Sequence, residues 1–127
     1  MTATPSTVLL VDRPGAFRDA VARALEAFGA RVQTSDAVLD TLGRLSLAPD
    51  VLLVAEDAGP PGGLSLCRIA KRKLPNAAIY LLRSEATGGA SGDGPAVVSR
   101  DLGPLAVAAR LVPDEAARAR PVIVGAQ

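Results

Sequence analysis

Three short runs constrain this chain most: Thr7-Val-Leu-Leu-Val11, Asp50-Val-Leu-Leu-Val-Ala55 and Ala78-Ile-Tyr-Leu-Leu82. Each is apolar through its middle and does not alternate. Strands read this way when both of their faces are buried, as in parallel sheets covered by helices. The intervals between the runs are also too long for tight hairpins and long enough for helical crossovers.

The intervals carry a helical period. After Pro14, which suits a first helical turn, Phe17, Val21, Leu25 and Phe28 recur on one face, with Gly29 placed as a C-terminal cap. Residues 31–34 form a short polar strand suited to a sheet edge. Ser35 or Asp36 can cap a second helix that turns Val38, Leu39, Leu42 and Leu45 inward. The stretch 59–63 is a Gly/Pro turn. Residues 64–74 then form a helix with Leu64, Cys67, Ala70 and Leu74 inward and Arg68, Lys71, Arg72 and Lys73 outward. Residues 96–98 are a short apolar strand, and 104–111 are a last amphipathic segment. Alternating strands and helices of these lengths predict right-handed crossovers and a parallel five-stranded sheet.

Residues 85–95 break the pattern, with four glycines in eleven residues. Each glycine costs about 1 kcal/mol in a helix relative to Ala. A flexible loop is therefore expected where the fourth crossover helix would stand.

Composition narrows the function classes. The chain has no His and a single Cys, so the commonest general base, a zinc cluster and an internal disulfide are all excluded. A net charge of +1 implies no bulk attraction to nucleic acid or anionic membrane. The apolar run at 8–11 is far too short for a signal peptide or a membrane span, and a cytoplasmic protein is expected. The run 71–73 is compactly basic but has no interleaved aromatics for base stacking, so it reads as a solvated helix face. Cys67 reads as a packing residue. No glycine-rich nucleotide fingerprint points to a cofactor.

In parallel α/β sheets, ligands and chemistry gather at the carboxyl ends of the strands. Those ends carry Asp12 and Arg13, then 55–57, Arg83 and Ser84, and 99–101. With these strand ends, the Pro/Gly turn and the run Gly63-Leu-Ser-Leu-Cys-Arg68, the chain from about 7 to 111 resembles the receiver (CheY-like) domain of two-component response regulators. The resemblance implies a flavodoxin-like three-layer α/β sandwich. It also implies a site, and this sequence departs from that site. Asp12 keeps the first of two acidic metal ligands, but Arg13 stands at the second. The phosphoacceptor position is Ala55, and Asp57 falls where a backbone carbonyl meets the metal. Arg83 takes the place of the phosphoryl-sensing hydroxyl, with Ser84 beside it. Arg100 replaces the lysine after the last strand, and Val97 holds the aromatic switch position.

The expectation is therefore a degenerate pseudo-receiver over 1–112, with 113–127 as an extension or the start of a linker. It has no enzymatic activity, no cofactor and no resident metal. Instead an ion-pair set of Arg13, Arg83 and Arg100 with Asp12 and Asp57 fills the old pocket. Function is expected through protein partners in bacterial signalling, or a second copy of the chain, with contacts placed by analogy at Val97, Val98, Leu105 and Ala108. The alternative is a sensor for a small anion or nucleotide messenger at the arginine-rich pocket.

Overall fold

The structure, a computed structural model, describes residues 6–36, 38–57, 62–84 and 96–119, with the side chains of 38, 39, 118 and 119 excepted. Five strands, β1 (Thr7–Val11), β2 (Arg31–Ser35), β3 (Val51–Ala55), β4 (Ala78–Arg83) and β5 (Ala96–Ser99), form one sheet in the order β2-β1-β3-β4-β5. Every pairing is parallel. Helices α1 (Ala16–Ala27), α2 (Val38–Arg44), α3 (Gly63–Lys73), α4 (Pro104–Leu111) and α5 (Pro113–Ala119) lie between or after the strands.

Strand alternation divides the core between the two faces of the sheet. Val8, Leu10, Leu53, Leu82 and Val98 pack against Val21 and Leu25 of α1 and Val107, Ala108 and Leu111 of α4. Leu9, Val11, Leu52, Val54 and Leu81 pack against Leu66, Cys67 and Ala70 of α3 and against Leu45. Because both faces are covered, β3 is buried at all five positions, as its unbroken apolar run predicts. The polar β2 lies at the edge, also as predicted. Gly29 adopts a left-handed φ of 100°, which suits the cap read for it.

Three sequence readings need correction. The inward stripe of α3 is Gly63, Leu66, Cys67 and Ala70, and Leu64 is exposed. The helix starts one residue earlier than predicted, and Leu64 falls outside the arc that Gly63, Leu66, Cys67 and Ala70 bury. Val98 on β5 and Ala108 on α4 are both buried in the core that α1 and α4 share, so neither offers a surface to a partner. Of the four positions placed by analogy, Leu105 is 64% exposed and Val97 half-buried.

The glycine-rich segment 85–95, read as a loop in place of a helix, lies outside the described residues, as do residues 120–127. Beyond residue 112, α5 forms with Ala116 buried, and Ser6 Oγ donates to the Glu115 carboxylate. Among the described residues, no helix is long and apolar enough to cross a membrane.

Candidate functional site

The strand order reverses direction at β1, with β2 on one side and β3 on the other. In such sheets a crevice opens above the carboxyl ends at this point. Val11 pairs with Val54, so Asp12 sits level with Ala55. Ala55 is buried, and its methyl carries no nucleophile.

Backbone contact fixes this end of β3. A Cβ placed on Gly63 would stand 2.1 Å from the Ala55 carbonyl oxygen, so only glycine lets α3 start there. The Gly63 amide also donates to the Glu56 carbonyl at 3.2 Å. Gly62, at φ 107°, turns the chain into the helix.

Asp12 is the best-held carboxylate of the mouth. Arg100 Nη1 donates to Oδ2 at 3.0 Å and Nη2 to Oδ1 at 2.8 Å, a two-point fork. The Asp12 carboxylate raises the Arg100 pKa, and the Arg100 guanidinium also lies 5.1 Å from the centroid of the Phe17 ring. Beyond β5, Ser99 Oγ accepts from the Asp101 amide and caps the short turn that aims Arg100 inward.

Asp57 is held differently. Arg13 Nη2 donates to its Oδ2, while Arg100 stands 3.9 Å from Oδ1. The Arg13 hydrogen bond, helped by the charges of Arg13 and Arg100, holds the Asp57 pKa below the ordinary carboxylate range.

Arg83 does not join the set. Its Nε donates to Glu56 at 2.9 Å. Alternation explains this correction. Leu82 faces α1 and α4, so Arg83 turns toward the α3 side, as Glu56 does one residue after Ala55. Ser84, the residue after β4, lines the crevice, and Arg83 does not.

Arg18 was missed. It occupies the first turn of α1 and lines the same cleft of about 360 Å³ as Arg13, Asp57, Ser84 and Arg100. Its Nη1 donates to the Asp12 backbone carbonyl at 3.2 Å, and its Nε is buried without a hydrogen-bond partner. Its place in the first turn, six residues after Asp12, was the available signal.

The residues present do not fit a divalent cation. Both oxygens of Asp12 are taken by one guanidinium, Asp57 is paired with another, and a Mg²⁺ ion demands hard oxygen ligands in near-octahedral array. Among the described residues, no group of three His, Cys, Asp or Glu side chains converges as a metal-ligand set. Cys67 is buried on the α3 side, which pushes its thiol pKa up to about 11, so it is no nucleophile near neutral pH.

No protein-family model matches the sequence, and no curated protein is similar to it in sequence. Solved structures are similar in fold. A CheY-like response regulator receiver domain from Methanospirillum hungatei is 16% identical with a TM-score of 0.73, covering 88% of this chain and 94% of its own. A response regulator from Thermotoga maritima is 20% identical with a TM-score of 0.69, over 84% of this chain and 94% of its own. A response regulator protein from Burkholderia pseudomallei, with a phosphorylated aspartic acid, calcium ion and citrate, is 21% identical with a TM-score of 0.66, over 87% and 69%. The doubly covered parallel sheet and its strand order are thus those of the response regulator receiver, or CheY-like, fold.

Proposed function

We propose that this chain is a receiver-type signalling module that acts through protein contacts and without an aspartyl phosphate. The observation that carries this reading is the Arg100 fork on both Asp12 oxygens beside a buried Ala55. Alanine offers no oxygen for an acyl phosphate, and the guanidinium supplies the positive charge that a metal would otherwise bring to Asp12. The B. pseudomallei structure contains a phosphorylated aspartic acid and a calcium ion. This chain has neither the acceptor at 55 nor free carboxylates for the ion.

Asp57 is an exposed acid of the same mouth, paired with Arg13. The test is incubation with acetyl phosphate and Mg²⁺ followed by intact mass. The expected result is no adduct, and a gain of about 80 Da, one phosphoryl group, overturns the reading. For the protein-contact half, Leu105 on α4 is the exposed apolar side chain that supports it. A partner captured without any phosphodonor, and lost in Leu105→Lys, is the expected outcome. Capture that requires acetyl phosphate overturns it.

A further inference from the structure

Every other arginine at the mouth of the sheet faces a carboxylate: Arg13 faces Asp57, Arg83 faces Glu56, and Arg100 faces Asp12. Arg18 faces none among the described residues. Its guanidinium rests against a backbone carbonyl, and its Nε is a buried donor with nothing to donate to. A buried donor left unmatched is costly, and so is a cation without a counter-charge. Its position makes the cost worse. Arg18 is the third residue of α1, where the opening amides lack intrahelical acceptors and the helix dipole is already positive. Gly15 at the N-cap supplies no side-chain oxygen to relieve them. Arg13 precedes this turn, and Arg100 stands in the same cleft.

We infer that this cleft binds a small oxyanion of the phosphate or phosphate-monoester class, noncovalently, between Arg13 and Arg18 above the first turn of α1. Arginine forks match phosphate oxygens in two-point geometry. The volume of about 360 Å³ lies at the small end of ligand sites. Asp57 is the resident competitor. Its bond to Arg13 is exposed on both sides, and at that exposure an ion pair is weak and exchangeable. An arriving phosphate takes Arg13 from Asp57 and also reaches Arg18, which Asp57 does not. The Arg100 fork on Asp12 stays closed. This goes beyond the signalling reading: that one fails on a covalent mass gain, this one on the absence of reversible phosphate binding.

The experiment is isothermal titration of the whole chain with sodium phosphate, against chloride at matched ionic strength, with acetate as a singly charged comparison. Saturable phosphate binding, weaker for acetate, is expected. Arg18→Gln should weaken it by roughly tenfold, the scale of one charge-assisted hydrogen bond. Since Arg18 is partly buried, Arg13→Gln at the exposed rim is the second variant, with a loss of similar size and an unchanged unfolding midpoint. Asp57→Asn should tighten phosphate binding several-fold by releasing Arg13. Asp114→Asn, the same change of charge on α5, should leave it as it is. Phenyl phosphate binding as well as phosphate assigns the site to esters, and exclusion of the ester assigns it to the free ion. The inference is overturned if wild type shows no saturable binding, if both arginine variants bind as wild type does, or if the two aspartate variants shift affinity equally.

Discussion

Asp12 and Asp57 each meet an arginine at the same mouth of the sheet, yet the two pairs are built for different work. Asp12 and Arg100 keep only 11% and 24% of their side-chain surface in contact with solvent, and they share two hydrogen bonds. Asp57 and Arg13 keep 52% and 74%, and share one. Depth sets the consequence. Where water is excluded, removing one partner strands the other as an unpaired charge. At the rim, water replaces whatever is lost. The inner pair is thus part of the fold, and the outer pair is free to exchange for a ligand or a partner's charge.

The sharpest test of a rigid inner mouth is Gly63→Ala. The added methyl meets backbone, which cannot swing aside, so α3 or the end of β3 must shift. Overpacking of this kind costs about 3 kcal/mol, and a urea melt should show it as a lower midpoint with unchanged slope. A midpoint within error of wild type would mean that the β3 end is as adaptable as the rim.

Arg100→Ala comes next. It leaves Asp12 largely buried and unpaired. Breaking a fully buried pair costs 3–5 kcal/mol, and partial exposure lowers the expectation here to about 2 kcal/mol. Arg100→Lys should recover part of this, because an ammonium cannot reproduce the fork. If Arg100→Ala costs no more than Arg13→Ala, the contrast between the two pairs is wrong.

The parts of this molecule that the sequence made legible are those governed by short-range pattern. The apolar runs fixed four of the strands to within a residue or so, and their lack of alternation showed that the sheet is covered on both faces. Asp12, Arg13, Ala55, Asp57, Ser84 and Arg100 were correctly brought to one end because topology alone assembles carboxyl termini. What stayed hidden depended on which way a side chain leaves the backbone. Arg83 sits one residue beyond Leu82 and so belongs to the other face. Val98 and Ala108 are in positions that analogy favours, but both are buried in the core on the α1 and α4 side of the sheet. Arg18 carries no periodic signal, because periodicity does not report that the Asp12 carbonyl lies within its reach.

The smallest effect is the most telling for the rim. Arg13 holds the folded-state pKa of Asp57 below the ordinary value of about 4. A depressed carboxylate contributes its stability above the unfolded-state pKa and loses it as pH falls through the folded-state value. Wild type should therefore lose this increment on acidification below about pH 4, and Asp57→Asn should lack it at every pH. Because both partners are largely exposed, the difference at pH 7 should be no more than about 0.5 kcal/mol, and 1 M salt should shrink it further. The check is a pair of urea melts, wild type and Asp57→Asn, at pH 7 and at pH 3. The two midpoints should differ slightly at neutral pH and converge in acid. A gap of about 2 kcal/mol at pH 7 would place Asp57 with Asp12, among the carboxylates the fold depends on, and would remove the exchangeable rim on which ligand entry relies.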